Sequence, residues 1–164
     1  MSDVSESAHV NLVVADFALP DASGKTNLIG AGITALGFEA GQGVTSPFYV
    51  YVEVLVPGGL APADAALELW LEDDAGSIVS IPGAAGPQSL RVGQEISFEK
   101  PRMPGLRVPD GIASRAQMVV WFQNGLTLAP GRAYRWVVRL DSDADRERRY
   151  PIAVPGPLPG PVVG

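Results

Sequence analysis

Pro47-Phe48-Tyr49-Val50-Tyr51-Val52-Glu53-Val54-Leu55-Val56 alternates strictly along its length. Phe48, Val50, Val52, Val54 and Val56 share one face, and Tyr49, Tyr51, Glu53 and Leu55 share the other. A period of two is the side-chain period of a β-strand, so the first face belongs to a core and the second is free to meet another surface. Pro57-Gly58-Gly59 ends the run.

The same pattern repeats on both sides of this strand. Downstream, Pro62–Ala66 suits one helical turn. Ala66–Glu72 then sets Leu67, Leu69 and Leu71 inward against Glu68, Trp70 and Glu72. Asp73-Asp74-Ala75-Gly76 is turn chemistry, Ser77–Ile81 a short returning strand, and residues 82–89 a loop. Ser89–Glu99 reads as a strand, followed by a connection broken by Pro101, Pro104, Gly105 and Pro109. Arg115–Gln123, Ala133–Leu140 and Arg149–Val154 complete the series, the last two joined by a charged turn, Asp141–Arg148. Upstream lie a polar arm, a strand over His9–Leu19, a turn at Pro20–Gly24 and a strand over Thr26–Phe38. Glycines at 30, 32 and 37 mark that last strand for bulges or strong coiling. Eight or nine short strands with turns between them predict an all-β protein. The expected architecture is an antiparallel β-sandwich, Greek-key or jelly-roll-like. The expected organisation is an N-terminal arm over 1–7, a sandwich over 8–154 and a Pro/Gly-rich C-terminal arm over 155–164.

Composition excludes more chemistry than it supports. The 164 residues include no Cys and one His, which removes disulfides, thiolate metal sites, cysteine nucleophiles and any site needing two histidines of one chain. Gly 19 and Pro 15 rule out a helical bundle. The net charge of −6 makes nucleic acid and an anionic membrane surface poor partners. The polar, acidic start lacks the basic and apolar regions of a secretory signal, so synthesis and assembly in the cytoplasm are expected.

Each chemical motif has a plainer reading. Gly24-Lys25-Thr26 ends like a phosphate-binding loop, but Leu19 stands where that loop needs its first Gly, and a hairpin turn fits. Asp141, Asp143, Asp145 and Glu147 alternate like calcium ligands. Arg146 and Ile152 occupy the positions where such a loop needs Gly and Glu, so a solvated turn is expected. His9 adjoins the arm and lacks a nucleophile elbow elsewhere in the chain. No catalytic, metal or cofactor residue is therefore assigned. Trp136 reads inward. Trp70 and Trp121 lie on outward faces, where packing under a loop is expected, and an exposed pair would mark a carbohydrate or protein surface.

Leu128-Ala129-Pro130-Gly131-Arg132-Ala133-Tyr134 matches the spacing of a tyrosine corner, in which the Tyr hydroxyl closes a Greek-key crossing. Leu128, Gly131 and Tyr134 are its structural residues. With Ala15-Asp16-Phe17-Ala18, Gly24-Lys25-Thr26-Asn27-Leu28-Ile29-Gly30-Ala31-Gly32 and Pro47–Val52, the chain resembles a bacterial and phage family of uncharacterised β-sandwich domains. Such domains open on an Asp-aromatic pair and a "Gly-Lys-x-x-x-Ile-Gly-Gly" strand, and close on "Leu-x-Pro-Gly-x-Tyr-x-Trp". The match spans residues 8–154. It departs at Ala31 and by one extra residue before Tyr134. The resemblance implies no activity and no catalytic residues.

A non-enzymatic structural protein is the expected function. The specific form is a phage virion accessory, a capsid decoration or minor capsid protein, that binds the protein subunits of a larger assembly, the major capsid protein or further copies of itself, and uses no cofactor. The alternative is a cytoplasmic bacterial binding module for a small ligand, carbohydrate or protein. The expected partner-binding residues are Tyr49, Tyr51 and Trp70 on the sheet faces, and Leu158, Val162 and Val163 in the Pro-rich tail, where proline lowers the entropy lost on docking.

Overall fold

A computed structural model of the chain describes residues 2–109 and 111–157. Two sheets face each other. One is three-stranded, ordered β1 (His9–Ala15), β6 (Phe48–Val56) and β11 (Ser114–Phe122). The other is four-stranded, ordered β10 (Arg91–Phe98), β7 (Ala63–Asp73), β12 (Arg132–Leu140) and β13 (Arg148–Val154). Every pairing within them is antiparallel. In chain order the seven long strands divide as first, second and fifth against fourth, third, sixth and seventh, an immunoglobulin-like Greek-key order. Three two-stranded ribbons decorate the sandwich: β2 (Phe17–Pro20) with β3 (Thr26–Ile29), β4 (Phe38–Glu39) with β5 (Val44–Thr45), and β8 (Ser80–Gly83) with β9 (Gly86–Ser89).

The alternation of β6 builds the core. Phe48, Val50, Val52, Val54 and Val56 are all buried, opposite Leu67, Leu69 and Leu71 of β7 and Trp136 and Val138 of β12. Phe48 stacks on Phe122 at 4.9 Å, and Phe122 lies 5.3 Å from Trp136, so one end of the core is aromatic. The chain crosses between sheets three times: after β6, after β10 and after β11. The crossing after β11 carries the corner. Tyr134 Oη accepts a hydrogen bond from the Ala129 N–H at 2.9 Å, Leu128 is buried, and Gly131 takes the left-handed conformation and donates to the Val154 carbonyl.

Several local expectations change. His9–Leu19 is two strands, because the chain turns at Asp16 and β2 leaves the sheet to pair with β3. Thr26–Phe38 is extended only over β3 and from Phe38. Between them Gly30 and Gly32 have positive φ, and residues 32–36 lie between the edges of β1 and β13. Gly32 and Ile33 donate to the Val14 carbonyl, and Leu36 and Thr34 bond both polar groups of Ala153. A 3-10 turn forms at Gly58–Leu60, while Pro62–Ala66 is not helical: β7 begins at Ala63. Residues 82–89 contain the β8–β9 ribbon rather than loop alone. The arm of residues 1–7 contains α1 (Asp3–Ser7), whose capping box pairs Ser2 with Ser5 and whose Val4 is buried. The hydroxyls of Ser2 and Ser5 donate to Asp141 and Asp143, which ties α1 to the turn after β12.

Candidate functional site

The outer faces of the two sheets differ from their sequence reading. Trp70 is on the outer face of β7 but only 4% exposed. Arg139 lies over its ring at 4.8 Å and Arg91 at 5.8 Å, and its indole N–H donates to Glu72 at 2.9 Å. Arg91 pairs with Glu68, Arg135 with Glu72, and Arg139 and Arg149 with Glu147. The face is a closed lattice of cations over an indole, and Trp70 is structural rather than available to a partner. Tyr51 is also buried, beneath the β2–β3 ribbon side of the other sheet. Burial pushes its phenol above the ordinary range, with the nearby Glu53 carboxylate adding to the rise. Leu158, Val162 and Val163 lie outside the described residues.

The acidic turn is satisfied by protein groups. Asp141 accepts from the Ala66 N–H at 2.8 Å, and Asp143 accepts from the Asp145 N–H. Burial raises the pKa of Glu147, but hydrogen bonds from Arg139 and Arg149 outweigh it and hold the carboxyl below its ordinary value. Among the described residues no cluster of three metal-ligating side chains forms. His9 Nε2 sits 3.1 Å from the Asn11 amide on an exposed strand start. Gly24-Lys25-Thr26 is a ribbon turn closed by Asp21, whose carboxylate accepts from Ser23 and Lys25. The Ser23 hydroxyl is the main cause of the lowered pKa of Asp21. No helix among the described residues is long and apolar enough to cross a membrane.

Beside the exposed Leu19 and Ile29 of the β2–β3 ribbon, two surfaces stand out, one at each end of the sandwich. The first is the crossing from β10 to β11, an arm over residues 99–113 of which 99–109 and 111–113 are described. Met103-Pro104-Gly105-Leu106 forms a turn in which Leu106 N–H donates to the Met103 carbonyl at 3.1 Å and Gly105 has φ of 74°. Pro at the second position and left-handed Gly at the third define a type II turn. It sets Met103 and Leu106 side by side at 55% and 70% exposure, with Ile112 at 46% further along. Lys100, Arg102 and Arg107 are exposed on the same arm, and the arm borders an open groove of about 650 Å³ with Pro62. The expected Pro/Gly-broken connection is thus also an exposed apolar surface. The signal was a run of Met, Leu, Val and Ile held between prolines.

The second surface lies where β6 begins and β11 ends. Trp121 is 56% exposed, contrary to the expected packing under a loop. Its ring stacks on Tyr49 at 5.5 Å and 5°, and Tyr49 meets Phe17 edge-on at 5.6 Å. Of the expected partner residues among the described ones, Tyr49 alone therefore borders an open aromatic surface. The next residues on the same side of the two strands, Pro47 and Gln123, line a groove of about 410 Å³ with Glu39, Gln42, Thr45 and Asn124.

No protein-family model matches the chain, and no curated protein matches it. Among solved structures it is similar to the CooA pilin subunit from enterotoxigenic Escherichia coli, with 12% identity, a TM-score of 0.31, and coverage of 89% of this chain and 99% of that one. That likeness is too distant to bear on either surface.

Proposed function

We propose that this protein is a non-enzymatic assembly subunit that docks onto a protein lattice through the arm of residues 99–113. Its specific form is a virion accessory, a capsid decoration or minor capsid protein of a bacteriophage. The observation that carries the reading is the apolar tip of the arm. Met103, Leu106 and Ile112 are large apolar side chains left in water by the fold. Contiguous exposed apolar groups rimmed by charge are characteristic of interaction sites. Lys100, Arg102 and Arg107 place positive charge around that tip on a chain of net charge −6. The complementary partner is a protein surface with an apolar pocket and an acidic rim, since long-range attraction then orients the approach.

The test is sedimentation of the tagged full chain from its source cells. Wild-type protein is expected to travel with large particles, and a Met103→Ser, Leu106→Ser, Ile112→Ser variant to stay with the slow, monomeric fraction. Wild-type protein found only in the slow fraction would overturn the assembly role. Particles that retain the triple variant would overturn the arm.

A further inference from the structure

We propose that the groove beside Trp121 is a binding site for a neutral carbohydrate. A sugar ring offers one flat apolar face of C–H bonds and a rim of hydroxyls, each both donor and acceptor. Its recognition needs a flat, exposed aromatic ring and, at the edge of that ring, polar groups with no other partner. This end of the sandwich carries both: an open ring at Trp121, and polar groups in an adjoining groove that Gln123 and Pro47 line and that Trp121 and Tyr49 do not.

The ring is held in place before any ligand arrives. Trp121 stacks almost parallel on Tyr49, and Phe17 braces Tyr49 from its edge, while more than half of the Trp121 surface stays open. A side chain already fixed loses little entropy on binding.

The backbone that carries the polar groups is also fixed. Gln123 and Asn124 are the two central residues of a turn closed by the Gly125 N–H on the Phe122 carbonyl at 3.1 Å. Buried Thr45 fixes that turn: its hydroxyl accepts from the Leu126 N–H at 2.9 Å, and its own N–H donates to the Leu126 carbonyl at 2.9 Å. Across the groove, Gln42 and Gly43 donate to the Glu39 carbonyl, which sets the positions of Glu39 and Gln42.

The outer face of the three-stranded sheet differs from the groove. Away from the groove its polar side chains are consumed internally: Asn11 donates to Glu53, Thr26 to Gln117, Gln117 to the Gly24 carbonyl, and Arg115 pairs with Glu53. At the groove, among the described residues, the side chains of Glu39, Gln42, Gln123 and Asn124 make no hydrogen bond to protein, and no Lys or Arg lines the cavity. Three amides and one carboxylate without a cation suit hydroxyls and disfavour phosphate, sulfate or uronate groups.

The site lies at the opposite end of the sandwich from the docking arm and is tested on the isolated protein, so its failure leaves the assembly reading standing. The full chain is titrated with a panel of neutral hexasaccharides built from glucose, mannose, galactose or N-acetylglucosamine, and with an oligouronate, while tryptophan emission is followed. At least one neutral member is expected to bind saturably. Trp121→Ala, and separately Gln123→Ala, is expected to weaken that member by about tenfold or more, the scale of one lost stacking or hydrogen-bonded contact. Gln123→Ala and Asn124→Ala alter exposed turn residues and keep the test valid should Trp121→Ala fail to fold. Absence of saturable binding by every neutral member overturns the proposal. So does unchanged affinity in these variants, or tighter binding of the oligouronate.

Discussion

The two ends of the sandwich present their surfaces by opposite means. At the β6–β11 groove the backbone is wedged. A Cβ built on Gly125 would fall 1.8 Å from the Thr45 carbonyl oxygen, and Tyr134 locks the neighbouring crossing to Ala129. At the arm, the turn glycine has open space around it: nothing lies within 4 Å of a Cβ built on Gly105. The groove therefore holds a fixed shape suited to a small rigid ligand. The arm holds its shape only through local turn chemistry and is suited to adjusting against a large partner. A single fold thus separates a site that gains from preorganisation from one that gains from reach.

Substitutions that attack this difference are expected to rank accordingly. Gly125→Ala imposes both a left-handed φ and a backbone clash, and is expected to cost about 3 kcal/mol or more, read as a lowered denaturation midpoint. A small loss there would mean the groove end is not wedged. Tyr134→Phe removes one hydroxyl from the corner and is expected to cost ~1–3 kcal/mol in urea unfolding. At the other end, Gly105→Ala pays only for its positive φ, about 1–2 kcal/mol. If it matched Gly125→Ala, the contrast between the ends would fail.

Glu147, in the turn between β12 and β13, sharpens the comparison. Its folded-state pKa is lowered below 4.5, so the stability it contributes is present above that value and is lost as pH falls through the lower folded-state value. Glu147→Gln should flatten this acid limb in a series of melting curves. An acid limb identical to the wild type would show that Arg139 and Arg149 do not hold this carboxylate in the folded state. The smallest effect is expected from Met103→Ser with Leu106→Ser, both exposed on the arm. Stability should remain within about 0.5 kcal/mol of wild type, because no core contact is lost. A larger drop would mean that the arm packs on its own domain and is not held free for a partner.

Strand alternation made the sandwich legible, since β6, β7 and β12 each have one uninterrupted apolar face. It did not reveal what covers the other face. Trp70 and Trp121 share an outward parity, yet one is roofed by Arg91 and Arg139 and the other is bare. Those roofing residues come from β10 and β12, so the outcome depends on long-range register that local pattern does not contain. The glycines at 30 and 32 were visible, but read as bulges within a strand they concealed the chain's departure to the edges of β1 and β13. The groove gave no advance signal: its members come from the 39–47 and 123–124 segments and meet through the β6–β11 pairing and the bonds between Thr45 and Leu126.

The segment at residues 32–36 has a mechanical consequence. It is hydrogen-bonded to β1 through Val14 and to β13 through Ala153, with Ala35 bridged in parallel to Ala153. β1 and β13 run in the same direction, from the arm end towards the groove end. Tension applied to the start of β1 and the finish of β13 would therefore load this staple lengthwise, with its bonds strained together instead of opened one after another like a zipper. A domain loaded in this way resists extension through the slowness of its rupture. The seam between the first and last strands is where such a force would be borne.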